Sequence, residues 1–409
     1  MAELDRKAIA RYIIEYGADD DQPTGREIVA SDDEALADGG LGLAWPVGTA
    51  PSTVAWPDDL HPDNPLPQAD ILVVTWTVAE HQALADVLTP GRNSRSWAPY
   101  RRNFDSQFRD KIRAGAPSLK VGRLGSWCAT RIGNKKLVCF KSELHLNQDG
   151  IATGDGTATL PVADLFRQLI AETKASLVIT VGTAGAVFPP ATVTTIGGVA
   201  CSPHELGDVV ITRAAKFRLA DEFRNESFAH ETYRCEDFVI PQSRLDAAKQ
   251  LLAVNADKLV EPAFGPPHTG YVWPLDGPVP SRQNHPDLKI EGRDMPEFHP
   301  ILTTDSFEFG TSTNSLEQQG AAVEMGDAVL GMVVKQMRDA GQPAPAWLVI
   351  RNASDPQING ALPNRMTPGL PPQLRRGLDM QAHWAVWYYE TYGYWTSVGS
   401  AIAVWAMAA

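Results

Sequence analysis

Cysteine is scarce in this sequence. There are four, Cys128, Cys139, Cys201 and Cys235, and no two of them form a CxxC pair. In a chain of 409 residues that pattern excludes a disulfide-built scaffold and reads as reduced thiols, with no zinc site and no metal expected. A long hydrophobic run is also missing. The longest late apolar stretch, Ser397 to Ala409, falls short of the ~20 residues that cross a bilayer, so it is expected to pack as a C-terminal helix and no membrane partner is implied. The beginning, MAELDRKAIARYIIEYG, is too charged for a secretory signal and reads as a short amphipathic helix. A cytoplasmic location is expected. Positive charge is in deficit overall. With a net charge of −13, wholesale nucleic-acid binding is not implied. Internal repeats and low-complexity tracts are absent.

What is present is an ordinary globular composition, 44% hydrophobic and 21% charged, enough for a sizeable core. Residues 1–68 read as an extension, with an acidic, Gly/Pro-rich stretch (GADDDQP, SDDEALADGGLG) of weak periodicity. Short apolar runs follow: ILVVTW (71–76), KKLVCFKS (135–142), SLVITVGTAGAV (176–187, ending in a Gly-rich turn), GDVVITRAAKF (207–217) and AWLVIRNASD (346–355). Each reads as a buried strand. Helical spacing marks AEHQALADVL, PVADLFRQLIAET (161–173), SRLDAAKQLLAV, the long run from Ser315 to Met337, and the aromatic-rich C-terminal segment. Strands alternating with helices imply an α/β chain with a largely parallel sheet. In such sheets ligands gather at the carboxyl ends of strands, here Thr75–Glu80, Gly182–Gly185, Asp305–Phe309 and Arg351–Asp355. Two insertions are expected, at about 91–134 and 240–300, in a domain spanning 69–409. Charge is uneven as well. Between Gly91 and Lys136 twelve Lys/Arg face two acids.

VGTAG (181–185), GDVVI (207–211), DSF (305–307), VEM (323–325) and RNASD (351–355) occur in the order, and on the element types, of the purine nucleoside phosphorylase and nucleosidase superfamily. Over roughly residues 70–400 the chain resembles that superfamily, closer to its nucleosidase branch. The resemblance implies a three-layer α/β/α phosphorylase/hydrolase-like fold with a largely parallel central mixed sheet. It also implies cleavage of the N-glycosidic bond of a purine nucleoside or nucleotide, AMP or ATP included, to free base and sugar, without a cofactor. A homo-oligomer is expected, partly from the resemblance and partly from the aromatic WAVWYYETYGYW cluster.

The resemblance assigns roles to single residues. Asp355, after Ser354, matches the aspartate that gives a proton toward N7 of the departing purine; the ordinary reading is a turn or N-cap aspartate. Glu80 matches the glutamate that orients and activates the attacking water; the ordinary reading is a solvated first-turn glutamate favoured by the helix dipole. No GDP-type turn follows Val74, and FKSELHLNQDG lacks the Gly-rich GxG segment of phosphorylases. Both absences favour hydrolysis, with phosphorolysis and a non-catalytic purine nucleotide sensor as alternatives. Glu324 and Met325 match the ribose-binding helix. The second acid usual after that methionine is replaced by Gly326 and then Asp327, which one helical step of roughly 100° turns away. Phe307 matches a base-stacking aromatic, with the backbone of Glu308 at the base edge. Thr183, Ala184 and Gly185 form a turn that lets backbone approach the ligand, and Arg351 pairs with Glu324 or Asp355. Arg92, Arg95, Arg101 and Arg102 in the basic stretch are candidates for 5′-phosphates, which a guanidinium fork suits; a solvated surface loop is the alternative. His145, His204 and His383 read as core or surface histidines.

Overall fold

The computed structural model describes residues 41–190, 192–259, 286–364, 366–369 and 379–409. The expected N-terminal helix and acidic stretch, up to residue 40, lie outside the described residues, as do 260–285 of the expected second insertion.

Fifteen strands and seven helices organise the described residues. The first strands are β1 (Ser52–Thr53), β2 (Ile71–Thr75), β3 (Ala98–Tyr100), β4 (Gly125–Ile132), β5 (Lys135–Ser142) and β6 (Leu177–Ala186). Between them lie helices α1 (Val78–Leu88), α2 (Pro117–Val121), α3 (Leu146–Asp149) and α4 (Pro161–Thr173). A small hairpin, β7 (Thr194–Ile196) and β8 (Val199–Cys201), leads to β9 (Val209–Thr212), β10 (Ala214–Phe217) and β11 (Thr232–Arg234). Then come α5 (Gln242–Val254), β12 (Leu288–Ile290), β13 (Ile301–Thr303), β14 (Ala322–Glu324), α6 (Asp327–Asp339), β15 (Ala346–Asp355) and α7 (Met380–Ala408).

Thirteen of these strands form one mixed sheet. Strand β6 is its hub: β2 pairs parallel with it on one side through Thr180, and β15 pairs parallel on the other along its length. Beyond Thr180, the antiparallel strand β14 takes over beside Gly185 and Ala186. The period-two alternation of the central strands explains the layers. Leu72 and Val74, Val178, Trp347 and Val349 face one core with α4 and α6. Ile71 and Val73, Ile179 and Val181, Leu348 and Ile350 face the other with α1, α5 and α7. Both faces are covered, so the central strands read as continuous apolar runs. The fold class is the α/β class expected from the sequence.

Both expected insertions carry strands, and two local expectations are corrected. The first expected insertion contains β4, which pairs with β5 along all eight residues; Gly133-Asn134 closes that hairpin, a two-residue turn signal that the sequence carried. The second expected insertion supplies β12, paired parallel to β9. Residues 183–185 are not a turn: they continue β6 as strand. The helix expected from Ser315 is a 3₁₀ turn, then β14, then α6 beginning only at Asp327. A Cβ on Gly320 would lie 2.5 Å from the Pro300 carbonyl oxygen, so the backbone there is pressed onto its neighbour strand, and sheet pairing overrides helical spacing.

Of the segment expected as an extension, residues 41–68 contribute Leu41, Leu43 and Leu66 to the core. The C-terminal segment is one helix of 29 residues, about 43 Å long at 1.5 Å per residue. Being apolar on every side, it is buried rather than amphipathic. Asn352 on β15 donates to the Gly182 carbonyl and to Ser400 Oγ of α7 (both 2.9 Å), tying helix and sheet together. Trp405 donates from Nε1 to the Thr49 carbonyl at 2.7 Å and packs 5.2 Å from the Trp45 ring. Truncating it removes a buried aromatic and strands a carbonyl. The Trp405→Ala protein is expected to lose about 3–5 kcal/mol of stability, read as a lower urea midpoint; a loss under about 1 kcal/mol would show that α7 does not anchor the fold.

Candidate functional site

The carboxyl ends of β2, β6 and β15 meet β14 around a cleft. Glu80, Thr183, Ala184, Gly185, Phe307, Glu308, Glu324, Met325, Arg351, Ser354 and Asp355 all line it. The four strand-end segments singled out from the sequence are therefore brought together.

Glu80 lies in the first turn of α1 and is buried, not solvated, at 3% exposure. Thr77 caps the helix and Glu80 closes a capping box. Its carboxylate collects five hydrogen bonds. Thr75 Oγ1 (2.8 Å), Trp76 N (3.0 Å) and Thr77 N (2.9 Å) donate to Oε2. Thr183 N and Oγ1, both at 2.8 Å, donate to Oε1. Burial pushes the Glu80 pKa up, but Arg351, 3.8 Å from Oε1, and these donors outweigh it, so the net direction is down and the group is ionised. This close approach depends on Gly182, where a Cβ would lie 2.4 Å from the Glu80 carboxyl carbon and 2.6 Å from Arg351 Nη1.

Arg351 is the central cation. It is forked onto Asp327, Nε to Oδ2 at 2.8 Å and Nη2 to Oδ1 at 2.6 Å, and Nη2 also reaches Glu324 Oε2 at 3.2 Å. Of the two partners expected from the sequence it takes Glu324 and not Asp355. Asp327, fully buried, stands behind the cleft wall. The step of the chain expected to turn it away is no helical step, because α6 starts after Gly326, whose φ of −157° and ψ of −24° are not helical. Glu324 closes β14 rather than lying on a helix. It accepts from Thr303 Oγ1, Gly326 N and, at 2.9 Å, Asp327 N. Burial and the Asp327 charge raise its pKa against the pull of Arg351.

Asp355 has the opposite character to Glu80. It is 4% exposed; among the described residues its Oδ1 accepts only from Ser354 Oγ at 3.1 Å, and its Oδ2 has no partner. Burial pushes its pKa up to about 7, with the Ser354 bond opposing weakly. A register shift between Ala353 and Asp355 sets this residue opposite Gly185, as bulges beside sites do. Half-buried Phe307, with Phe309 5.6 Å away between centroids, and Tyr389 of α7 give the cleft an aromatic wall. Asp305 does not face the cleft; it accepts from the backbone of Ala220, Asp221 and Phe223, holding the loop before Phe307.

No family model matches the chain, and no curated protein matches it in sequence. Solved structures are similar to it. A 5′-methylthioadenosine/S-adenosylhomocysteine nucleosidase of Neisseria meningitidis, in complex with methylthio-immucillin-A, is 13% identical over 83% of this chain and 98% of its own, with a TM-score of 0.40. The futalosine hydrolase of Helicobacter pylori is 11% identical over 82% and 96%, with a TM-score of 0.40. The corresponding nucleosidase of S. pneumoniae, with a transition-state inhibitor, is 14% identical over 83% and 97%, with a TM-score of 0.39.

The basic stretch is not brought to the cleft. Arg92 follows the far end of α1 and stacks 3.9 Å from the Trp56 ring centroid. Arg95 is exposed in a 3₁₀ turn, Arg101 pairs with Asp105 at 2.6 Å, and Arg102 pairs with Glu172 at 3.1 Å. Glu172 ends α4 and so marks the amino-terminal edge of the sheet, the edge opposite the cleft. Conversely, Trp76, Thr77, His145 and Tyr389 line the cleft without having been singled out as site residues. The signal for Thr77 was its three-residue spacing from Glu80. His145 is buried, and desolvation with the nearby Lys141 charge lowers its pKa to about 3, so it is neutral.

Arg351 balances three buried acids. Replacing it with Met is expected to cost about 3–5 kcal/mol at neutral pH, because the uncompensated charges remain buried. In that variant the acids' folded-state pKa values rise, so the deficit shrinks as pH falls and they take up protons. In the native chain Glu80 has the reverse sign: its lowered pKa contributes stability above the usual carboxylate range that is lost on acidification. Thermal unfolding of both proteins across pH 4–8 checks this; a deficit that grows toward low pH would refute the charge account.

Proposed function

We propose that the protein is a hydrolase that cleaves the N-glycosidic bond of a purine nucleoside, releasing free base and free sugar. One observation carries this reading: two buried carboxyl groups share one cleft with their proton affinities pushed apart. Glu80 is held ionised, whereas Asp355 is held near half-protonation at neutral pH with one oxygen open. Such a split is how acid and base roles are divided between two carboxyls.

The chemistry follows from the two environments. The flat base stacks against Phe307 and Tyr389, its imidazole edge toward Asp355. As the C1′–N9 bond lengthens, its electron pair passes to the base and Asp355 gives its proton to N7, neutralising the leaving group. Positive charge builds on the sugar, and the Glu80 carboxylate stabilises it. Water adds its oxygen to C1′ and loses a proton to Glu80. An oxocarbenium-like centre is a strong electrophile, so a carboxylate of lowered basicity suffices. Thr183 is the donor that makes room, since it is partly exposed and its hydroxyl can rotate off Oε1 to leave a lone pair for the water.

Water is preferred to phosphate for a geometric reason. The amides of Trp76, Thr77 and Thr183 and the Thr75 hydroxyl converge as an anion cradle at the start of α1, and Glu80 already fills it. A plain nucleoside is preferred to AMP or ATP because the four candidate arginines lie away from the cleft.

Base release measured by chromatography, with and without added phosphate, tests the reading. Release independent of phosphate is expected, with Asp355→Asn and Glu80→Gln each lowering it by about 10²–10⁴-fold. A strict phosphate requirement would make the enzyme a phosphorylase, and full activity in Glu80→Gln would remove the assigned mechanism. Because Asp355 acts in its protonated form, kcat/KM is expected to fall as pH rises through about 7; a profile flat from pH 6 to 9 would exclude Asp355 as the acid.

A further inference from the structure

On the wall of the cleft beside Gly326, the Glu324 carboxylate has no open acceptor site. The four donors on the Glu324 carboxylate are Thr303 Oγ1, two backbone amides and the Arg351 guanidinium. Thr303 is fully buried and Arg351 nearly so, and the amides are fixed by the turn into α6. Unlike the Thr183 hydroxyl on Glu80, none of these can swing away to free a lone pair. Two carboxylate oxygens offer about four acceptor sites, so Glu324 is full. Asp327 is spent on Arg351 behind the wall.

Next along this wall comes Gly326, and its missing side chain is replaced by a ring. A Cβ there would lie 3.2 Å from Trp76 Cζ2 and 3.4 Å from Cε2, so the indole occupies the space a side chain at 326 would need. Trp76 is held in place on three sides. Its Nε1 donates to the Leu144 carbonyl at 3.2 Å, the Arg351 guanidinium stands 5.2 Å from the ring centroid, and Phe166 packs edge-on at 6.2 Å. Its single polar atom is therefore already used. Half-buried Met325 completes the wall with a thioether. Beside Glu324 the wall is therefore an indole, a glycine and a methionine.

A ribose presents two vicinal hydroxyls, and a desolvated hydroxyl without a partner is penalised. We propose, on the reading that this cleft binds a purine nucleoside, that it selects 2′-deoxyribonucleosides, with the Trp76–Gly326–Met325 wall packing on the sugar by shape instead of bonding its diol. The reaction chemistry points the same way, because a 2′-hydroxyl withdraws electrons from the cationic sugar and its loss eases departure of the base.

Matched pairs of adenosine and 2′-deoxyadenosine, and of inosine and 2′-deoxyinosine, test this on the full-length protein. Binding is read by calorimetry and base release by chromatography. The 2′-deoxy member of a pair is expected to bind at least tenfold more tightly and to show at least tenfold higher kcat/KM. Trp76→Ala/Gly326→Glu, which clears the ring and adds a carboxylate free to accept, is expected to move the binding ratio toward the ribonucleoside by at least tenfold. Equal or ribo-favouring constants in the wild-type protein, or binding of none of the four, overturn the proposal. Tighter 2′-deoxynucleoside binding without any base release would leave the sugar selection standing and overturn the glycosidase reading instead.

Discussion

The Arg351 guanidinium is shared among Asp327, Glu324 and Glu80, and the architecture of the cleft depends on that sharing. Three carboxylates from three different elements converge on one cation that arises from β15, the strand running beside the hub of the sheet. A buried ion cluster of this kind is costly unless every oxygen has donors. The surrounding features supply them: the capping box of α1, the Thr303 hydroxyl, and the non-helical Gly326 that aims two amides at Glu324. Gly182 allows the charges to meet across β6, since any side chain there would stand between Glu80 and Arg351.

Asp355 is excluded from this network although it lies four residues beyond Arg351 on the same strand. The register shift after Ala353 carries it to Gly185, where among the described residues no cation and a single hydroxyl attend it. The same strand thus delivers one permanent cation and one carboxyl with a raised proton affinity. Charge compensation on one side of the cleft and its lack on the other separate the two carboxyls, Glu80 and Asp355, into unlike states.

Much of the fold was legible along the chain. Strands β2, β5 and β15 and helix α4 follow from apolar runs and helical spacing, because both sheet faces are covered and burial writes itself into the sequence. Strand β4 was hidden by the basic residues around it, even though Gly133-Asn134 announced its hairpin. Strand β14 was hidden by a helical spacing that parallel pairing with β13 overrides. Within the cleft, the strand-end rule gathered Glu80, Thr183, Arg351 and Asp355. The arginines of the basic stretch, suited by their chemistry to phosphate, lie elsewhere, because α1 carries the chain to the opposite edge of the sheet before Arg92.

The sequence by itself determined the class of fold, the strand ends that meet, and the presence of Glu80 and Asp355 among them, since apolar periodicity and strand polarity are local properties. Only the tertiary structure decided what those residues are. Burial with or without a nearby cation sets a carboxyl's charge, and that is a property of packing. The structure also decided which wall faces a bound sugar, because the Trp76 indole fills the space above Gly326 from a strand end 250 residues earlier in the chain.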